Sequence, residues 1–166
     1  GLGDVYKRQV LGGEGKGFAN LMNELPRERL ILGVGCVAAA EGMLDWTIEY
    51  TMERKAFGES ISSFQNTRYV LADIKTEIEL NKALAEKFTK KFVEGDLSSH
   101  EASMVKLAAS EMQGRVADRC LQLFGGYGYM TEYKISRAFV DARIQRIYGG
   151  TSEIMKELIS RSLVGR

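Results

Sequence analysis

Apolar residues recur at alternating spacings of three and four along most of the chain, which is the period of an α-helix and not that of a strand. The first such segment predicts a helix from about Lys16 to Lys55, which Pro26 should kink or restart. The apolar stripe of this helix consists of Leu30, Val34, Val37, Leu44 and Ile48, with Glu41 in the same seam.

Two further long helices follow the break at Phe57-Gly58. The second helix ends at the Gly95-Asp96 turn, and its stripe consists of Val70, Ile74, Ile78, Ala85, Phe88 and Phe92. Ser98 and Glu101 then form a capping-box pattern at the start of a third helix. That helix stops at Gly125-Gly126-Tyr127-Gly128, and its stripe consists of Ala102, Val105, Ala109, Met112, Val116, Cys120 and Leu123.

Two shorter helices complete the pattern. One covers roughly Ile135 to Arg146, and the other starts at Thr151 or Ser152, both good N-caps. Three long helices joined by short turns and followed by two short ones predict an all-α fold. We expect an antiparallel bundle of four-helix type with an extra short C-terminal helix, formed by residues 10–166. Residues 1–9 have no periodicity and are predicted to be a non-native or unstructured lead.

Charge and cysteine content exclude several classes of protein. The 23 Lys+Arg nearly cancel the 22 Asp+Glu, so the net charge offers no overall attraction for nucleic acid or an anionic membrane, and an anionic ligand must be bound locally. The two cysteines form no C-x-x-C pair, which leaves zinc, a redox pair and a disulfide unsupported. No stretch approaches the ~20 uncharged apolar residues of a membrane helix, and the N-terminus lacks a signal-peptide core. We therefore expect a soluble, intracellular protein.

Three motifs invite a chemical interpretation. A di-iron site in a four-helix bundle needs a pair of Glu-x-x-His motifs, but His100 is the only histidine, so no metal is predicted. The run from Gly125 to Tyr129 could be a nucleotide loop or a helix C-cap with a tight turn; it follows a helix, whereas the dinucleotide fingerprint follows a strand. Gly149-Gly150-Thr151-Ser152 could be an ordinary N-cap or a phosphate site built from backbone N–H groups.

Four segments, in this order, resemble the acyl-CoA dehydrogenase family: Glu53-Arg54-Lys55-Ala56-Phe57-Gly58, Phe64-Gln65, Gln122-Leu123-Phe124-Gly125-Gly126-Tyr127-Gly128-Tyr129 and Ile147-Tyr148-Gly149-Gly150-Thr151-Ser152-Glu153. The resemblance covers about Val10 to Val164 and corresponds to the C-terminal helical domain. The family's N-terminal helical domain and middle β-domain would be absent. The resemblance implies an FAD-dependent removal of the α-proton and β-hydride of an acyl-CoA, which gives a trans-2-enoyl-CoA.

The resemblance also implies roles for individual residues. The FAD contacts would come from Arg54, Phe57, Gln65, Thr151 and Glu153, with Gln122, Gly125 and Gly126 contacting a flavin held largely by a neighbouring subunit. Arg54 is a permanent cation suited to a pyrophosphate, and a helix opening at Thr151 offers N–H donors. Substrate contacts would come from Arg29 near the CoA portion, from Tyr50 near the thioester, and from Gly149 and Gly150.

The catalytic base is the informative departure from the family pattern. Many members carry the catalytic glutamate at the position of Gly149, whereas long-chain and isovaleryl members place it on the first long helix, in a Glu-Arg-Leu context that Glu28 matches here. Glu28 would have to be desolvated for its pKa to rise toward neutrality. The other interpretation of Glu28 is a first-turn residue after Pro26 that complements the helix dipole. Glu41 is the rival carboxylate, unless it is a buried residue paired with a neighbouring helix.

As a whole, the resemblance implies a piece of a dehydrogenase for medium- to long-chain acyl-CoA. The full-length protein would be a homo-oligomer, most simply a tetramer, with an electron-transferring flavoprotein as acceptor. It would be cytoplasmic in a bacterium and in the matrix of a mitochondrion in a eukaryote. We expect the piece alone to fold but to be inactive. A noncatalytic helical oligomerisation domain and an acyl-CoA oxidase remain alternatives.

Overall fold

A computed structural model describes residues 10–165, so the predicted lead at residues 1–9 lies outside the described part of the chain. The described residues form an all-α domain, as predicted. It contains five helices: α1 (Gly17–Glu53), α2 (Gln65–Val93), α3 (Ser99–Phe124), α4 (Lys134–Ile144) and α5 (Ser152–Val164). Short 3₁₀ segments lie at Ile61–Ser63 and Gly125–Tyr129.

Ion pairs between helices define the directions of α2 and α3. Lys91 near the end of α2 contacts Glu101 near the start of α3 (2.6 Å), and Glu77, earlier in α2, contacts Arg119 late in α3 (3.6 Å). These two helices are therefore antiparallel. At the start of α3 both halves of the predicted capping box are formed, because the Ser98 hydroxyl accepts from the Glu101 N–H and the Glu101 carboxylate accepts from the Ser98 N–H.

Helices α1 and α3 run parallel and lie side by side. Arg29, in the first half of α1, is hydrogen-bonded to Ser99 at the start of α3, and Tyr50, near the end of α1, is hydrogen-bonded to Phe124 at the end of α3. Gly33 marks their close approach: a Cβ built there would lie 2.5 Å from Cγ1 of Val105 and 3.3 Å from the backbone of the same residue. A residue larger than glycine would push the two helices apart.

The core confirms most of the predicted stripes. On α1, however, Val34 and Ile48 are exposed, and on α2 Phe92 is exposed. The buried face of α1 also includes residues outside the predicted apolar stripe, most of them small or polar. Besides Leu30, Val37 and Leu44, it comprises Arg29, Gly33, Cys36, Ala40, Met43, Thr47 and Thr51. Glu41 is paired with Lys82 of α2 (2.8 Å), which is the neighbouring-helix pairing considered for it above.

We predicted that Pro26 would kink or restart the first helix, and the restart is wrong. Helix α1 runs without interruption from Gly17 to Glu53 with Pro26 inside it. An internal proline removes one backbone hydrogen bond and strains one turn, but the helical turns on either side of it are retained here. Glu28 consequently does not lie in the first turn, and the interpretation of it as a partner of the helix dipole is also wrong.

A small antiparallel hairpin was not predicted. It pairs β1 (Lys55–Ala56) with β2 (Glu59–Ser60), with Ala56 opposite Glu59. Its two-residue loop is Phe57-Gly58, and both residues have positive φ (55° and 87°), as in the primed turns that match the twist of two strands. The Phe57-Gly58 break therefore turns the chain between α1 and α2.

Helix α1 also meets a criterion of length and composition for a membrane span. Its most apolar 18-residue window has a mean hydropathy of 1.4, and 39% of that window is buried. We predicted that no segment would approach the length and apolar composition of a membrane helix, and for α1 this prediction is corrected. Core helices of globular domains meet the same criterion.

We expect Gly33→Ala to lower the free energy of unfolding by about 1–3 kcal/mol, because the added methyl group overlaps Val105 in a packed interface. Gly35→Ala is the matched control, since nothing lies within 4 Å of a Cβ at that position. In the control, removing a helical glycine should stabilise the fold by about 0.5–1 kcal/mol. Urea unfolding measures both, and equal effects of the two substitutions would contradict the close approach.

Candidate functional site

The predicted site residues fall into two groups, at opposite ends of α1. The Arg54 end consists of Tyr50, Arg54, Phe57, Gln65, Gln122, Gly125 and Gly126, and the Gly149 end consists of Glu28, Arg29, Gly149, Gly150, Thr151 and Glu153. Arg29 and Arg54 lie 25 residues apart along the continuous helix, which at about 1.5 Å per residue is roughly 37 Å. The two groups are therefore far apart within one copy of the domain.

At the Arg54 end, aromatic stacking holds the polar residues in place. The guanidinium of Arg54 lies over the ring of Tyr127, 5.3 Å from its centroid, and remains exposed. The ring of Tyr50 stacks on Phe124 at 4.0 Å, and its hydroxyl donates to the Phe124 carbonyl at 3.3 Å. Burial raises the pKa of Tyr50, and the charge of Arg54 opposes this shift. This end therefore presents a fixed cation beside an aromatic cluster.

The hairpin places Phe57 outside the domain. Its side chain is 97% exposed, and its ring lies 6.4 Å from that of Phe64 in an edge-on arrangement. Gln65, which begins α2, donates to the hydroxyl of Tyr69 at 2.5 Å. An exposed phenylalanine at positive φ is costly for an isolated domain, which is typical of a surface that another molecule covers. The remaining predicted residues of this end, Gln122, Gly125 and Gly126, are exposed beside it.

At the Gly149 end, α1 is tied to the loop between α4 and α5. Arg29 is 5% exposed, its Nε donates to the Gly149 carbonyl at 3.1 Å, and its Nη1 lies 3.4 Å from Ser99 Oγ. Burial lowers the pKa of Arg29. The guanidinium is thus directed into the protein. Because Glu28 is adjacent to Arg29, this contact brings the helical turn of Glu28 and the loop of Gly149 together.

Lys106 is a site residue that the sequence analysis missed. It is fully buried on α3, and its ammonium donates to the Gly150 carbonyl at 2.6 Å. Burial lowers the pKa of Lys106, and the nearby cations Arg29 and Arg146 reinforce the lowering. A signal was present, since Lys106 stands one residue after Val105 and four after Ala102 in the predicted stripe. The spacing therefore places a lysine at a core position, where lysine is rare unless its ammonium has a partner.

Helix α5 begins beside these cations. Thr151 is its N-cap, and the Thr151 hydroxyl accepts from the Ile154 N–H at 3.4 Å. Within residues 10–165, the N–H groups of Gly149, Gly150 and Thr151 have no acceptor. Together with the positive end of the helix dipole, they suit an anionic or carbonyl oxygen. Glu153 is exposed, and hydrogen bonds from its own N–H and from Thr151 lower its pKa.

Glu28 is exposed in this domain. It lines an open groove whose other residues come from the segment before α1 and from its first turns: Val10, Leu11, Gly13, Gly15, Gly17, Asn20, Leu21 and Glu24. The domain by itself does not bury this carboxylate. The desolvation that a base requires would have to come from other parts of a complete site.

The thiols and the metal-binding side chains complete the inventory of chemically active groups. Cys36 and Cys120 are free and buried, and burial raises their pKa to about 12 and about 11, so neither is a reactive thiolate. Among residues 10–165, no three His, Cys, Asp or Glu side chains are grouped so that they could hold a metal.

Comparison with known proteins identifies the family. The sequence model described as the acyl-CoA dehydrogenase C-terminal domain matches residues 15–164. The chain belongs to the acyl-CoA dehydrogenase family. It is 49% identical over 155 residues to the mitochondrial long-chain specific acyl-CoA dehydrogenase of Sus scrofa, covering 93% of this chain and 36% of that relative. It is 39% identical to the acryloyl-CoA reductase (NADH) of Anaerotignum propionicum, over 98% of this chain and 41% of that relative.

Solved structures of the family have the same fold. The acyl-CoA dehydrogenase from Geobacillus kaustophilus superposes with a TM-score of 0.89 at 42% identity, covering 93% of this chain and 40% of that one. The butyryl-CoA dehydrogenase from Megasphaera elsdenii superposes with a TM-score of 0.88 at 36% identity, with the same coverage. The chain therefore spans about two fifths of the length of these relatives. The acyl-CoA dehydrogenase family uses FAD as its cofactor.

The two glycines of the α4–α5 loop should differ in their tolerance to alanine. Gly149→Ala should cost about 1–2 kcal/mol of unfolding free energy, because φ is +66° and the added Cβ meets only Leu32, at 3.4 Å. Gly150→Ala should cost about 3 kcal/mol, because φ is +106° and the Cβ would lie 2.6 Å from the Cε of the buried Met155. Thermal unfolding ranks them, and the opposite order would contradict this loop conformation.

Proposed function

We propose that the full-length protein containing this domain removes the α-proton and β-hydride of an acyl-CoA to give a trans-2-enoyl-CoA, with Glu28 as the base. The observation that carries the proposal is the hydrogen bond from Arg29 to the Gly149 carbonyl. It brings the turn of Glu28 beside a loop position that has no carboxylate of its own. A carboxylate on α1 can then reach the region that a carboxylate at Gly149 would otherwise serve.

Glu28 is suited to proton abstraction by its type and its location. A carboxylate that begins exposed, as here, gains basicity when a ligand excludes water from it, because burial disfavours the charged form and raises its pKa. The groove that Glu28 lines is open, which leaves room for a ligand beside the carboxylate. Glu41 is a poorer candidate, because its carboxylate is already paired with Lys82.

FAD would be held by residues of both ends. Bound flavin supplies the acceptor for the hydride. Thr151 and the free N–H groups before α5 suit phosphate oxygens, and Arg54 adds a permanent, exposed cation at the other end. Because roughly 37 Å separate the two ends along α1, we infer that one FAD contacts the Gly149 end of one copy and the Arg54 end of another. The enzyme is accordingly a homo-oligomer, most simply a tetramer.

The similarity to relatives supports the remaining assignments. The identity with a long-chain specific dehydrogenase favours a medium- to long-chain acyl-CoA as the substrate. A relative from Acetobacterium woodii is a subunit of a caffeyl-CoA reductase-Etf complex, and we propose an electron-transferring flavoprotein as the acceptor here. The enzyme would act in the mitochondrial matrix or in a bacterial cytoplasm. The domain alone, with an exposed Glu28 and half of each FAD site, would be inactive.

Glu28→Gln should slow the reduction of bound FAD by a long-chain acyl-CoA at least about 100-fold, because it removes the proton acceptor. The measurement is the anaerobic loss of flavin absorbance in the full-length protein, with FAD content determined in parallel. Glu24→Gln is the matched control: Glu24 lines the same groove one turn earlier and is exposed.

The outcomes separate the alternatives. Equal bleaching in wild type and Glu28→Gln would assign the base to another carboxylate. No bleaching of the wild type with acyl-CoAs of several lengths would favour a noncatalytic oligomerisation domain. Rapid reoxidation of the reduced flavin when oxygen is then admitted would favour an acyl-CoA oxidase.

The shared FAD site predicts complementation between two inactive variants. When Glu28→Gln and Arg54→Gln chains are co-expressed, each mixed pair contains one site with both changes and one site with neither. Activity should therefore return in the mixture, although each variant alone is impaired. Co-expression of Glu28→Gln with Thr151→Val is the control. Both residues belong to the Gly149 end, so every site of a mixed pair carries one of the two changes, and no activity should return. The absence of recovery with Arg54→Gln would place both ends in one chain's site.

A further inference from the structure

Lys106 is a buried cation without a carboxylate partner in the described part of the chain. It is fully buried, yet its ammonium makes one hydrogen bond, to the Gly150 carbonyl at 2.6 Å, and residues 10–165 provide no acidic group within ion-pair distance. Burying an ammonium for a single hydrogen bond is unfavourable compared with an apolar side chain of similar size. Stability of the core alone therefore does not account for a lysine here.

The geometry around Lys106 indicates what it does. Arg29 and Lys106 hold two successive carbonyls, those of Gly149 and Gly150. In a planar trans peptide the N–H points away from the carbonyl of the same unit. The N–H groups of Gly150 and Thr151 are consequently directed away from the two cations, and neither has an acceptor among residues 10–165. The two buried side chains thus set the direction of two free backbone donors.

We propose that Lys106 is a positioning residue that fixes the Gly149–Gly150 loop from inside the domain, so that the N–H groups of Gly150 and Thr151 present themselves to an oxygen acceptor of the bound ligand. Gly150 needs such a restraint, because its φ of +106° is a conformation that glycine leaves readily. Lys106 touches neither ligand nor reacting atoms in this arrangement and acts through the loop.

The first test measures the loop itself, in the full-length protein. Lys106→Met keeps the length and burial of the side chain and removes its donors. Hydrogen exchange should then accelerate about tenfold or more at the amides of Ser152 and Met155, which are hydrogen-bonded to Arg146 and Thr151. Gln113→Met is the matched control, because Gln113 is also buried on α3 and its side chain makes no hydrogen bond to the loop. Exchange in the control should equal that of the wild type.

The second test measures catalysis and rests on the function proposed above. In Lys106→Met the KM for a long-chain acyl-CoA should rise about tenfold, with kcat within about twofold and the pH profile of kcat unchanged, because the loop binds and does not react. Lys106→Arg, which keeps a charged donor, should recover most of the loss. A merely structural role would instead lower the melting temperature without changing KM.

Each result decides one point. Unchanged exchange at Ser152 and Met155 in Lys106→Met would overturn the positioning role, whatever the activity. If the wild type oxidises no acyl-CoA, the proposed function fails while the exchange data still decide on Lys106. If Lys106→Met does not fold, Lys106→Gln, whose side chain ends short of Gly150, takes its place with the same expectation.

Discussion

The direct contact between the parallel helices α1 and α3 is the constraint on which the rest of this domain depends. Gly33 allows the two backbones to approach at Val105, and no larger residue fits there. This contact sets the register of the two helices, so that Arg29 of α1 and Lys106 of α3 reach successive carbonyls of the same loop. The same register, continued along the helices, stacks Tyr50 on Phe124 at the opposite end.

The side chains of two buried cations therefore satisfy backbone carbonyls of the α4–α5 loop, as backbone N–H groups do within a helix. They satisfy the carbonyls of Gly149 and Gly150, and this leaves the N–H groups of the loop free. The loop is built from glycines because both positions require a positive φ. A glycine at position 149 also removes the carboxylate from the loop, which is why our proposal for the base falls on Glu28, one residue before the arginine that holds the loop.

The separation of the two ends explains why a single copy of this domain offers incomplete surfaces. Phe57 is almost fully exposed at a strained hairpin, and Arg54 is held by Tyr127 with its charge toward solvent. These features are unfavourable in isolation and favourable when another molecule covers them. Because the two ends lie far apart along one continuous helix, our proposal takes the missing half from a second copy.

The sequence by itself determined the five helices, the capping box at Ser98 and the family, because these depend on local spacing and on contiguous motifs. It did not determine the continuity of α1 through Pro26, the hairpin around Phe57 or the role of Lys106. A proline's local penalty can be outweighed by the turns around it, a two-residue ladder has too few positions to show a period, and a lysine's partner is a carbonyl 44 residues away. Only the tertiary structure decides which distant backbone groups a buried side chain must satisfy.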